Sequence, residues 1–456
     1  MRTVSGGGGL VIVGGSDAGI MAGLWAKDVV PELDVTLAVR DAYPNFSICG
    51  IPFYVSGETP EWPMLAHRTA DDLEAMGLRL LLDHDVTAID PGERSVAAVA
   101  PTGDEVRLGY DALVVGTGAT PVRPRFPGVE LPGVYLLHTI GEARHLHDTL
   151  HERSRRAVLI GAGYIGTEMA DALTHRGLDV TIVEMAPAVL TTFDPDLGEI
   201  VGEELRRHGV SVRCGHTVER VERDGDGSLR VLGSDGLDER GDVVLVAVGV
   251  RPDSELARRA GVHVDDRGAI TVDHGMATNV DRVWAAGDCV HTHHVLFDAP
   301  TYLPLGTTAH KQGRVAGLNA VGGDARFAGS CGTQAVKVFD LVAARTGLRD
   351  IEAARHGFEP VSVTVEADDH KAYYPGAKRM TVRVTGDRRS ARLLGAQIIG
   401  AYGTEISKRV DIFAAALQAR ANVATLNDFD LSYTPPLSSP WDPVQVAAQA
   451  WLRDAG

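Results

Sequence analysis

Cysteine is scarce in this chain of 456 residues: Cys49, Cys214, Cys289 and Cys331 are the only four, and they stand far apart. That spacing argues against a disulfide framework and offers no zinc-ligand pattern, so no metal is expected. Unpaired cysteines fit a reducing compartment, and a cytoplasmic location is expected. No apolar run reaches membrane-spanning length, so no membrane partner is expected. The stretch Met1 to Gly9 lacks the apolar core of a signal peptide and reads as a short mobile tail. Basic residues are also short. The 44 Lys and Arg against 61 Asp and Glu leave a net charge of −17, which repels a phosphate backbone and argues against nucleic acid. The hydrophobic content of 44% is ordinary for a globular enzyme of two or three domains.

Strand-like apolar runs alternate with helical patterns through most of the chain, the rhythm of parallel βαβ units. Leu10 to Val13, Val35 to Val39, Asp111 to Gly118, Ala157 to Ile160, Val180 to Val183, Val243 to Gly249 and Val283 to Asp288 read as strands or strand-turn segments. Ile20 to Val30 and Ile165 to Arg176 read as helices. From about Phe327 the texture changes. Val361 to Val365 and Met380 to Val384 alternate with period two, as antiparallel strands do. Helical segments follow at Ile406 to Ala421 and Pro443 to Leu452.

Two glycine fingerprints follow strands. The second, Gly161-Ala162-Gly163-Tyr164-Ile165-Gly166, is complete. Its glycines let the strand turn tightly into a helix whose N-terminus receives a pyrophosphate. Glu184 ends the next strand, where a carboxylate accepts the ribose hydroxyls and repels a 2′-phosphate. No Lys or Arg follows at once, so NADH is preferred, with NADPH left open. The first fingerprint, Gly14-Gly15-Ser16-Asp17-Ala18-Gly19, is weaker: Ser16 replaces the middle glycine and Val39 stands at the acid position. Asp41 is the substitute for the ribose. Thr117-Gly118 and Gly287-Asp288 strengthen it, with Asp288 placed to hold the ribitol of FAD.

Between the fingerprints lies Cys49, in a loop that leads into a helix, where the helix N-terminus is expected to lower the thiol pKa. Two dinucleotides and one thiol point to a flavoprotein moving electrons from a nicotinamide through FAD to sulfur. With a single thiol, the partner of Cys49 comes from the substrate, from oxygen chemistry or from a distant cysteine. Cys214 and Cys331 read as ordinary core or surface residues, and Cys289 as packing under the flavin ribityl chain.

The chain resembles the pyridine nucleotide-disulfide oxidoreductases, and most of all their single-cysteine branch of coenzyme A disulfide reductases, NADH oxidases, peroxidases and persulfide reductases. Ser47 to Tyr54, the second fingerprint, Val250-Arg251-Pro252, Ala286 to Cys289, Pro304 to Ala309 and Lys337 to Asp340 carry the resemblance. It implies an α/β fold with two Rossmann-like domains and a C-terminal α+β dimerisation domain. FAD would lie on 1–120 and 251–326, NAD(P) on 121–250 with Gly249 at its end, and the homodimer interface on 327–456. Tyr373-Tyr374-Pro375 and Ser432-Tyr433-Thr434 resemble segments that approach the thiol from the partner subunit, so Tyr374 (or Tyr373) and Tyr433 are implied as donors beside Cys49.

The implied activity is NADH-dependent reduction of a low-molecular-weight disulfide or persulfide, with a coenzyme A derivative as leading partner. The alternatives are an NADH oxidase or peroxidase cycling a Cys49 sulfenate, and a flavoprotein redox carrier or sensor. Asp17 stands where the oxidases carry a His, which weighs against them. Trp25, Asp28 and Ile48 replace groups that meet coenzyme A, with Lys27 and Arg68 as compensating cations. Glu168 is expected on the nicotinamide side. Gly306-Thr307-Thr308 is expected to aim a helix N-terminus at the flavin. His291, His293 and His294 resemble a metal cluster but read as solvated or flavin-adjacent, and Glu222 to Asp242 as a solvated hairpin face.

Overall fold

The computed structural model describes residues 2–3, 9–150 and 154–455. Of the expected tail, residues 1 and 4–8 lie outside them. Arg2–Thr3 instead form a short strand paired in parallel with Val106 and Arg107.

The buried strand Gly9–Val13 is central to the first sheet. Val35–Ala38 flanks it on one side and the long strand Glu105–Val115 on the other, both in parallel. The chain leaves this sheet after Val115 and returns to it with Val283–Ala285, beside Leu113 to Val115. Helix Asp17–Val29 follows the first fingerprint turn. It packs on helix Gly306–Ala320 almost backbone to backbone: a Cβ on Gly313 or Gly317 would lie 2.2 or 2.1 Å from the carbonyls of Ala18 or Ala22.

In between lies a second parallel sheet, ordered 211–214, 179–184, 156–160, 243–246, 134–136. An antiparallel pair, Ala119–Pro121 with Val250–Pro252, joins the entry to and exit from this unit. The acid-rich stretch forms a three-stranded sheet, 218–223, 229–233 and 238–241, with surface pairs such as Arg240–Asp224 at 3.1 Å.

The C-terminal part is a five-stranded antiparallel sheet backed by helices Ile406–Gln418 and Pro443–Ala455. Its middle strand, Leu393–Ala401, is buried on both faces except at Ala401. That strand shows no apolar–polar alternation, which is why period-two reading finds Arg379–Asp387 beside it and Pro360–Asp368 at the sheet edge beyond, but not it. Among the described residues, no helix is long and apolar enough to cross a membrane.

Candidate functional site

The first cradle is built where strand Gly9–Val13 turns into helix Asp17–Val29. Gly14 takes a φ of +117°, and a Cβ there would lie 2.1 Å from the Gly116 carbonyl, so only glycine fits. A Cβ on Gly19 would strike the Gly14 carbonyl at 2.2 Å. Asn45 lies against this turn, its amide donating to the Gly15 carbonyl at 2.9 Å. Asn45 Oδ1 is buried and meets no partner, which suits a bound hydrogen-bonding ligand.

Asp41 accepts from the Tyr43 amide at 3.1 Å, and burial raises its pKa. Thr117 Oγ1 donates to the Asp253 carbonyl, and Gly118 faces open space. Gly287 is held by Gln312 Oε1 at 3.0 Å and packs on Ala18, where a Cβ would come within 2.8 Å. Asp288 is pushed up to about 6, by burial first and then by the charge of Asp17, against a hydrogen bond from the Leu305 amide. A half-buried carboxyl with capacity to spare fits a polyol such as the FAD ribitol.

The second cradle repeats the geometry. Gly161 has φ +102°, and a Cβ on Gly166 would lie 2.0 Å from the Gly161 carbonyl. Gly163 and Gly249 face open space, which leaves room for a ligand's close approach. Glu184 is oriented by two amides at 2.8 Å, Ala162 on Oε2 and Ala186 on Oε1. Each oxygen keeps a lone pair for a ribose hydroxyl, so the donor set fits an unphosphorylated dinucleotide ribose.

Cys49 lies in the turn Ile48–Gly50, which runs directly into helix Ile51–Ser56. Ser47 Oγ closes that turn by accepting from the Gly50 amide at 3.1 Å. The thiol is exposed. Contrary to expectation, its pKa is raised. Desolvation contributes most, followed by the charges of Glu168, Asp17 and Asp288. A six-residue helix is outweighed by walls and carboxylates.

These carboxyls come from three parts of the chain, and each is itself raised. Burial lifts Asp17, against the nearby His310 and His67. Burial and the neighbouring Asp171 lift Glu168 to about 7, against Lys337. The Asp17 carboxylate stands 3.6 Å from His310 Nδ1, which also lies 2.9 Å from the Gly306 carbonyl. Three raised carboxyls thus act on the sulfur, and of these Glu168, at about 7, can hold a proton near neutral pH. Asp17 carried that signal in the sequence, inside the fingerprint itself. His310 and His67 carried none, because no motif frames them.

The tyrosine loops meet each other. The Lys371 amide donates to the Pro435 carbonyl at 3.2 Å. Partial loss of water and a hydrogen bond to Tyr433 raise the pKa of Tyr373. Tyr374 instead sets its ring edge-on to His370, with 5.7 Å between centroids. Tyr373 is therefore the partner of Tyr433 within one chain, and all three tyrosines are exposed.

Two further expectations are corrected. His291 and His294 are buried rather than solvated, and burial pushes His294 down to about 4. Lys27 is not free to meet a phosphate, since its Nζ donates to the carbonyls of Pro31 and Leu33 just past its own helix. A different cation stands over Trp25: the Arg314 guanidinium, 5.6 Å from the ring centroid. Cys289 is buried, its sulfur 3.4 Å from the Ala286 carbonyl.

Two nucleotide folds facing one exposed thiol define a dinucleotide-dependent thiol oxidoreductase. The chain belongs to the pyridine nucleotide-disulphide oxidoreductase family, which it matches over residues 9–313, with that family's dimerisation domain over 333–443. It is similar to an NAD(P)H sulfur oxidoreductase (CoA-dependent) of Pyrococcus abyssi, at 34% identity over 96% of this chain and 97% of the other. An NADH oxidase of Methanocaldococcus jannaschii is 30% identical over 97% and 98%. Among solved structures, the NAD-dependent persulfide reductase of A. fulgidus superposes with a TM-score of 0.94 at 34% identity, covering 97% of this chain and 83% of that one.

Proposed function

We propose that this protein is an FAD-dependent, NADH-oxidising homodimer that reduces a low-molecular-weight disulfide or persulfide at Cys49. The observation that carries the reading is the exposed thiol acted on by three carboxyls, on a chain with two dinucleotide cradles. Gly14, Gly19, Asp41, Asn45, Thr117, Gly118, Gly287 and Asp288 would hold FAD. Gly161, Gly163, Gly166, Gly249 and Glu184 would hold the nicotinamide dinucleotide. FAD, when bound, supplies the two-electron link between nicotinamide and sulfur.

The chain's own residues do the rest. Cys49 sulfur attacks one sulfur of the substrate, a mixed disulfide forms, and the other half leaves as a thiolate that takes a proton. Glu168, raised to about 7, can hold a proton beside that sulfur, and Tyr433 and Tyr373 or Tyr374 would donate from the partner subunit across the dimer. Glu184 favours NADH, because it repels a 2′-phosphate and no Lys or Arg follows it at Met185, Ala186 or Pro187.

A coenzyme A derivative is the leading substrate, as the name of the Pyrococcus abyssi relative indicates for that protein. Arg314 beside Trp25 supplies the cation for its phosphates that Lys27 does not. Asp17 in place of a basic acid/base group weighs against the oxidase reading.

The test is NADH oxidation by FAD-loaded protein in anaerobic buffer, with coenzyme A disulfide or coenzyme A persulfide as sole acceptor. Turnover that Cys49→Ser abolishes while FAD stays bound is expected. Disulfide reduction at wild-type rate in Cys49→Ser would overturn the scheme. Fast NADH consumption with oxygen alone would return the oxidase reading to the front.

A further inference from the structure

The hairpin of strands Thr292–His294 and Ala299–Thr301 carries a second set of ligating side chains, away from the thiol. One ligating atom each of His274, His293 and Asp298 lie within 4.8 Å of one another. His274 comes from the turn between Asp273 and Met276, and its ring stacks on His293 with 4.0 Å between centroids.

His274 Nδ1 lies 3.0 Å from the Phe327 carbonyl. With Nδ1–H donated to that oxygen, the Nε2 lone pair is left for another partner, the way ligating histidines are generally oriented. A second, independent observation points to a ligand: His293 Nδ1 is buried and meets no hydrogen-bond partner. His291 stands edge-on behind it at 5.7 Å, fixed by its Nε2 contact with the Val272 carbonyl at 2.9 Å.

The only comparable cluster among the described residues is Glu204, His208 and Asp340. It already holds a cation, because the Arg207 guanidinium is 2.7 Å from Glu204 and 3.1 Å from Asp340. Among the described residues, no Lys or Arg pairs with the hairpin cluster.

We propose that His274, His293 and Asp298 bind one divalent transition-metal ion of the zinc class. Two imidazole nitrogens and one carboxylate oxygen favour zinc, cobalt or nickel over magnesium and calcium, which take oxygen ligands. Ligand atoms around tetrahedral zinc, at bonds of about 2.0–2.1 Å, stand roughly 3.4 Å apart. Asp298 is exposed at the hairpin tip, so rotation of its side chain closes the remaining gap, and water completes the shell. The ion would pin the hairpin to the turn at His274. That hairpin lies between Asp288 and Tyr302, whose hydroxyl donates to the Asp288 carbonyl at 3.0 Å. The clamp therefore steadies the segment that carries Asp288.

The experiment uses the FAD-loaded full chain carrying Cys49→Ser, so that the exposed thiol does not compete for metal. Equilibrium dialysis against Zn2+, with Mg2+ as control, and thermal unfolding with and without Zn2+ are the two readouts. One Zn2+ per chain, no Mg2+ and a zinc-dependent rise in Tm are expected. His274→Gln, His293→Gln and Asp298→Asn should each weaken binding at least about tenfold and remove the rise in Tm. His208→Gln should change neither. Asp298→Asn alters an exposed hairpin tip, so its effect cannot be put down to misfolding. Absence of saturable Zn2+ binding, or binding lost in His208→Gln but kept in His274→Gln and Asp298→Asn, would overturn the proposal.

Discussion

Asp17→Asn keeps the shape of the side chain and removes one of the three charges that face Cys49. Two unit charges roughly 8 Å apart interact by about 2 kcal/mol at an effective dielectric of about 20. The thiol is exposed, so water and salt screen the field, and about half or less survives. The remaining ~1 kcal/mol corresponds to a fall of about 0.7 pK unit in the thiol midpoint. Glu168→Gln should lower it by at least as much, because Glu168 acts on the sulfur more strongly than Asp17 does. Asp28→Asn, on the same helix as Asp17 but not among the charges acting on the thiol, should leave the midpoint alone. The assay is the rate of iodoacetamide alkylation of flavin-free protein against pH, followed at the Cys49 peptide by mass spectrometry. Midpoints that stay fixed or rise in both Asp17→Asn and Glu168→Gln would refute the view that carboxylates set this thiol.

Glu168 titrates near pH 7. Its charge is absent well below that pH and present above it, so wild-type turnover should show an inflection near 7 that Glu168→Gln lacks. Gly166→Ala places a Cβ 2.0 Å from the Gly161 carbonyl and must displace the second turn. KM for NADH should rise about tenfold or more, some 1.4 kcal/mol of binding, while FAD content stays unchanged. Glu352 pairs with Arg345 at 2.8 Å, and although burial opposes it, the Arg345 charge and hydrogen bond bring the carboxyl down to about 2 from an ordinary 4.5. A depressed carboxyl contributes stability above its unfolded pKa and loses it as pH falls from 4.5 towards 2, here roughly 3 kcal/mol. Thermal melts of Glu352→Gln against wild type should therefore differ at pH 7 and converge by about pH 2.

Both nucleotide turns were legible because their function needs a backbone that only glycine allows, and glycine spacing is visible in a sequence. The strands beside them were legible because a parallel sheet buried on both faces leaves short apolar runs. Leu393–Ala401 is just as apolar, yet it lies in an antiparallel sheet where alternation was the cue, and so it escaped. At the site, Cys49, Glu168 and Asp288 announced themselves by position after a motif. The direction of the Cys49 shift did not. It depends first on burial of the sulfur and then on Glu168, Asp17 and Asp288 converging from three remote segments, and local reading saw only the nearby helix start. For His291 and His294 the solvated of the two readings failed for a related reason: polarity predicted exposure, whereas stacking, as between His294 and Phe297 at 4.4 Å, lets an imidazole be buried.

The tyrosine loops were singled out by resemblance alone, and the reason is physical. In one chain Tyr373 is 73% exposed and Tyr433 45%, beside Leu437 at 71% and Trp441 at 52%. Nothing among the described residues covers them, so no periodicity could mark them as a face. What lies beneath is rigid. Arg409 is buried and pairs with Asp442 at 3.1 Å, while donating to the carbonyls of Asp369 and Thr404 at 2.7 Å each. Asp369 leads into one tyrosine loop and Asp442 follows the other, so one guanidinium fixes both. Breaking such a buried pair typically costs about 3–5 kcal/mol. The loops are therefore ordered before a second chain arrives, and in the proposed dimer association need not supply their ordering entropy. A thiol that lacks an internal partner cysteine would then meet hydroxyls already in place, set by the dimer rather than by closure of a flexible loop.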